Sequence, residues 1–191
     1  MNQPQKSGTE FISNEACFDE RRLMSLRTLY SEVDQEAERI ADRHGPRLKC
    51  QRGCCQCCVD DLTVFEVEAE NIRLKNPVLL LQGAPHHQGA CAFLDAEGGC
   101  RIYADRPYVC RTQGLPLRWI DERADGELVE LRDICPLNEE GEPIVELTEE
   151  ECWTIGPVEE RLASLQWQFG SGRITRLPLR SLFANRGATG E

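Results

Sequence analysis

Between Asp19 and His44 apolar residues recur at three- and four-residue spacings, as Leu23, Leu26, Tyr30, Val33, Ala37 and Ile40, with charged residues between them. That period predicts an amphipathic helix, and Gly45-Pro46 supplies its stop. An apolar stripe on a charged helix needs a partner to cover it, so packing is the role expected of this segment. Thr63-Val-Phe-Glu66 has the spacing of a capping box and predicts a second helix from Val64 to Lys75, ended by Asn76-Pro77. Further along, the period falls towards two. Cys91 to Leu94 and Cys100 to Tyr103 flank Asp95-Ala-Glu-Gly-Gly99, and Leu117 to Glu122 and Glu127 to Ile134 flank Arg123-Ala-Asp-Gly126. Both read as hairpins. Thr148-Glu-Glu-Glu151 repeats the capping spacing, and a helical stretch runs from Val158 to about Phe169. Residues 1–15 and 171–191 show no clear period and are expected as flexible tails around one domain, 16–170. Helices and short antiparallel hairpins in this order predict a small, irregular α+β single domain.

Composition changes the picture in one respect. Aromatic residues make up only 6% of the chain and mean hydropathy is −0.46, so the apolar core is expected to be thin. A structural zinc is worth roughly 10–16 kcal/mol in peptide models, comparable to the ~5–15 kcal/mol stability of a whole domain. The formal net charge of −11 argues against a nucleic-acid partner, which needs clustered Lys and Arg. The opening residues lack a basic head followed by an apolar stretch, and the longest apolar run, near Val78 to Leu81, is far short of a membrane span. The expectation is a cytoplasmic protein with no membrane partner.

Cysteine distribution is the strongest feature. The chain has 11 cysteines, and five of them fall in Cys50-Gln-Arg-Gly-Cys-Cys-Gln-Cys-Cys58. In a reducing compartment such spacing points to metal before disulfides, and an odd count points the same way. A redox dithiol is a competitor, since Cys54-x-x-Cys57 and Cys55-x-x-Cys58 overlap. That chemistry belongs beside a βαβ pattern, which is missing here. Setting aside Cys17 and Cys152 as small apolar residues, and Cys55 as unplaced, leaves Cys50, Cys54, Cys57, Cys58, Cys91, Cys100, Cys110 and Cys135 as candidate metal ligands. A two-residue gap lets one tight turn aim two sulfurs at a metal about 2.3 Å from each. Eight thiols suit two four-sulfur sites, or one cluster with spares. Arg52, Arg101 and Arg111 lie close in sequence to these thiols, either to offset their charge or as ordinary surface arginines.

Cys50-x3-Cys54-x2-Cys57-Cys58, then Leu62-Thr63 and Glu66, then CAFLDAEGGCRIYADRPYVCR from Cys91 to Arg111, resembles the bacterial cysteine-cluster family called YkgJ. That family is described as a zinc- or iron-chelating domain with a CxxCxxCC signature. The resemblance implies metal binding through Cys50, Cys54, Cys57, Cys58, Cys91, Cys100 and Cys110, with Cys135 as an addition. Cys55 departs from the signature. A related cysteine cluster in flagellin lysine methylases resembles an iron–sulfur site and tilts the expectation towards iron. The same first spacing occurs in radical S-adenosylmethionine enzymes, but their repeated β/α barrel does not fit this length or element order.

Other chemistry is weaker. His86-His87 read as an exposed loop, Glu149 to Glu151 as an acidic helix start, and Arg173, Arg176, Arg180 and Arg186 as a solvated tail. No catalytic motif is visible. The expectation is therefore a metalloprotein organised around a cysteine-ligated centre holding an iron–sulfur cluster or zinc, iron slightly favoured. Electron transfer or redox sensing with a redox or protein partner would be its role; the alternative is a zinc-stabilised interaction module.

Overall fold

The helix predicted from the apolar stripe is the longest element of the protein. The computed structural model describes the backbone of residues 9–186 and the side chains of residues 20–183. Helix α1 spans Thr9–Arg43, so its backbone starts about ten residues before the apolar period does. Leu23, Leu26, Tyr30, Val33, Ala37 and Ile40 are all buried, and Leu29 joins them. Each fully covered side chain of this kind contributes roughly 1.5–3 kcal/mol.

After the cysteine loop come strand β1 (Thr63–Phe65), helix α2 (Glu66–Lys75), helix α3 (Pro77–Gln82) and the single-turn helix α4 (Tyr108–Arg111). Strands β2 (Leu117–Glu122) and β3 (Leu128–Asp133) form the predicted hairpin, antiparallel from Leu117↔Asp133 to Glu122↔Leu128. Strand β4 (Trp153–Thr154) lies parallel on the other side of β2, helix α5 spans Pro157–Phe169, and strand β5 (Arg176–Pro178) pairs antiparallel with β1. The result is an α+β fold with two small sheets, in line with the fold class expected from the sequence.

Two apolar clusters make up the core. In the first, the α1 stripe packs with Phe65, Val67, Tyr108, Leu115, Trp153 and Leu162. In the second, Val64, Ala69 and Ile72 pack with Cys91, Phe93, Ile102, Leu179 and Phe183. Neighbours Val64 and Phe65 point into different clusters because successive strand residues face opposite sides. The segment from β1 into α2 is thus the wall between the clusters.

Three expectations change. The helix cap after the cysteine loop is Phe65 rather than Thr63, and the carboxylate that reaches back is Glu68, whose Oε2 accepts from the Phe65 amide at 3.0 Å. Thr63 is held instead in β1, where pairing with β5 satisfies its backbone. The predicted Cys91–Tyr103 hairpin is reduced to one bridge, Leu94↔Cys100, because Asp95 Oδ1 takes the Glu97 and Gly99 amides and closes a tight turn. The expected tail from residue 171 instead carries β5 and a 3-10 segment from Leu179, whose Leu179, Leu182 and Phe183 side chains are buried in the second cluster. Of the two expected tails, residues 1–8 and 187–191 lie outside the described residues.

Thr148 does cap its turn. Its amide and hydroxyl both donate to Glu151 Oε2 at 2.8 Å, closing a 3-10 turn at Glu149–Glu151 before α5 starts at Pro157.

Candidate metal centre

The loop that follows α1 is wrapped by two consecutive turns. The Cys54 amide donates to the Gln51 carbonyl, and the Cys58 amide to the Cys55 carbonyl, each at 2.9 Å. Gly53 sits at φ +91°, a conformation that a residue with a Cβ rarely adopts, so the first turn depends on it. These turns put Cys54, Cys57 and Cys58 on one side of the loop. Cys55 is outside the cavity lining, its sulfur near Gly98 of the Asp95 turn.

Opposite this loop stand three thiols from the middle of the chain. The Cys91 amide donates to the Cys58 carbonyl at 2.8 Å, the Leu94↔Cys100 bridge brings Cys100 back beside Cys91, and α4 presents Cys110. Together Cys50, Cys54, Cys57, Cys58, Cys91, Cys100 and Cys110 line one cavity of about 430 Å³. Seven of the eight candidate ligands therefore share a single space.

Cys135 lies outside that lining and is tied to it through Asn138. The Asn138 side chain is fully buried; its Nδ2 donates to the Gly114 carbonyl at 2.7 Å and to Cys50 Sγ at 3.5 Å, while its Oδ1 accepts from the Lys49 amide at 2.8 Å. Its own amide closes a turn onto the Cys135 carbonyl at 2.7 Å. Gly114, at φ +92°, is packed so closely that a Cβ there would lie 2.5 Å from Cys50 Sγ. Neither Asn138 nor Gly114 was singled out from the sequence. No periodicity marks them, and only their distant partners give them a role.

The thiols differ in proton affinity. Cys57 is lowered to about 6, chiefly because the Cys58 thiol donates a hydrogen bond to it. Cys58 is raised for the converse reason, with burial adding to the effect. Burial raises Cys91 and Cys100, and pushes Cys110 up to about 12. Cys50 is also raised by burial, against the hydrogen bond from Asn138 that favours its thiolate.

The nearby arginines divide by partner. Arg52 is exposed at the cavity rim and pairs with Asp95 at 3.0 Å. Arg111 is buried, lies 4.0 Å over the Tyr30 ring and pairs with Asp34 of α1; Arg106 approaches the same carboxylate at 3.7 Å. Both line the cavity and pin it to α1. Arg101 is committed elsewhere, donating to the Ala84, Ala92 and Phe93 carbonyls. Arg180, expected in a solvated tail, instead pairs with Asp60 and donates to the His86, His87 and Ala90 carbonyls. That clamp ties the exit of the first cysteine segment, after Cys58, to the entry of the second, before Cys91. His86 and His87 stay outside the cavity lining, and Cys152 is buried with its sulfur 3.8 Å from Arg132 Nη1.

The donor chemistry suits a thiophilic metal: soft sulfur ligands, closely spaced, with cations at the edge. Among the described residues, no three His, Cys, Asp or Glu side chains already stand at ligating geometry, so binding would draw the sulfurs inward. Residues 49–136 match the CxxCxxCC family model. Its description reads "Putative zinc- or iron-chelating domain". The matched segment contains all eight candidate ligands, from Cys50 to Cys135. The CxxCxxCC name has two residues in its first interval, whereas Cys50 and Cys54 here enclose three. No curated protein and no solved structure matches the chain. No helix among the described residues is long and apolar enough to cross a membrane.

Proposed function

We propose that the protein binds iron as an iron–sulfur cluster, or zinc, through cysteine thiolates around this cavity, and that it carries electrons or senses oxidation for a redox or protein partner. The observation that supports this most is the convergence of seven thiols, from two chain segments and α4, on one space. A lone zinc is closed by four thiolates. Seven thiols on one space exceed that number, which supports a polynuclear group. Such a group supplies one-electron chemistry, tuned by hydrogen bonds to its sulfurs and by exposure. This chain would contribute the Asn138 donor to Cys50 and the partial exposure of Cys50 and Cys57. Those exposed thiols lie on the side that a partner can approach.

The test is anaerobic purification with iron, acid-labile sulfide and zinc measured per chain, alongside a visible spectrum. Iron and sulfide in equal amounts with a charge-transfer band are expected. Colourless protein with stoichiometric zinc, unfolding on chelation, would replace the redox reading with the zinc-stabilised interaction module. Absence of all three would overturn metal binding itself.

A further inference from the structure

We propose that the thiols serve two centres, an inner one held by Cys58, Cys91, Cys100 and Cys110 and an outer one held by Cys50, Cys54, Cys57 and Cys135. This rests on the metal-binding reading above and goes beyond it by dividing the ligands. Closed zinc sites and iron–sulfur clusters each take four protein ligands. A single centre would leave half of the eight thiols unused, although seven of them line the cavity.

The division follows packing. Cys91 belongs to the second apolar cluster, and Cys58 and Cys100 pack against that cluster. Backbone bonding joins them further, from the Cys91 amide to the Cys58 carbonyl and across the Leu94↔Cys100 bridge. Cys110, presented by α4, lines the cavity beside them. These four form the floor, with Cys91 buried and the other three half-buried.

Cys50 belongs elsewhere. Its sulfur accepts from Asn138, whose amide bonds to Cys135. Cys54 and Cys57 come from successive turns of the same exposed loop. The seam runs between neighbours Cys57 and Cys58, of which Cys58 packs against the second cluster and Cys57 does not. Adjacent cysteines at a seam can supply one thiolate to each side, which gives the doubled cysteine a purpose that one centre does not. Cys55 has no part in either set.

The experiment is anaerobic metal analysis of the full chain in three forms: wild type, C50S/C135S and C91S/C110S, with helicity checked by circular dichroism. Each double variant is expected to keep about half the wild-type metal. Total loss in one variant with full retention in the other would overturn the division. Wild-type protein without metal would overturn the metal-binding reading instead, and this division with it. If the buried C91S/C110S variant fails to fold, a cobalt titration of the metal-free wild type decides. Thiolate charge-transfer absorption saturating at two equivalents supports two centres, and saturation at one equivalent overturns them.

Discussion

The two thiol-bearing regions are built in opposite ways. Cys91, Cys100 and Cys110 stand on packed framework: the second apolar cluster, the Asp95 turn and α4. The Cys50–Cys58 loop has two local turns, a backbone bond to Cys91, the Arg52–Asp95 ion pair and the Asn138 contact to Cys50, and it meets the second cluster at Cys58, its last residue. One region is a packed floor, and the other is an arm held mainly by its own turns. The difference shows in proton affinity: thiols on the floor hold their protons tightly, whereas the arm offers a readily ionised thiol at Cys57.

Removing Glu68 should erase the contrast most completely. Its carboxylate accepts from the Tyr30 hydroxyl, the Tyr108 amide and the Phe65 amide, and it is buried. Burial raises the Tyr30 hydroxyl well above its usual range, with neighbouring Glu68 adding to the shift, so that phenol stays a donor. Glu68→Ala leaves two buried amides without partners and is expected to cost roughly 3–5 kcal/mol in chemical denaturation. Because Tyr108 opens α4, Cys110 should become reactive as the floor loosens. Unchanged stability would mean that the floor does not depend on this carboxylate.

Arg180→Ala attacks the junction between the regions. Its guanidinium holds Asp60 and three carbonyls of the 86–90 loop, and its loss should cost about 1–3 kcal/mol while speeding alkylation of Cys91. Gly114→Ala is the converse probe, aimed at the arm. A side chain at φ +92° pressing on Cys50 Sγ is expected to cost about 1–3 kcal/mol and to displace Cys50, leaving Cys91 labelling unaltered.

The mildest probe is pH. In metal-free protein, Cys57 should be alkylated with a rate that rises through about pH 6, because its lowered proton affinity keeps the thiolate present above that value and loses it below. Cys91 and Cys100, raised by burial, should react only above the ordinary thiol range. Site-resolved labelling read by mass spectrometry gives both profiles. Coincident profiles would show that the two regions are not chemically distinct.

Much of this arrangement is legible in the sequence, for physical reasons that can be named. The α1 stripe and the β2–β3 hairpin are local patterns, set by a period and by an Asp-Gly turn whose Gly126 takes φ +85°. Convergence of the cysteine segments could be anticipated because soft donors at turn spacing have few other uses in this setting. What escaped was non-local and polar. Asn138 reaches Cys50 across 88 residues and Arg180 reaches Asp60 across 120, and neither contact leaves a periodic trace. Glu68 was hidden behind Glu66 because the strand pairing of β1 moved the helix start by two residues. The C-terminal stretch escaped for a similar reason. Its leucines and Phe183 have no period of their own and acquire an inside only from the second cluster.

The most direct test of the central claim is X-ray absorption at the edge of whatever metal co-purifies anaerobically with the full chain. A first shell of sulfur alone, at about 2.3 Å for zinc or iron, is the predicted result. A shell dominated by nitrogen or oxygen would contradict the assignment of the metal to these thiols.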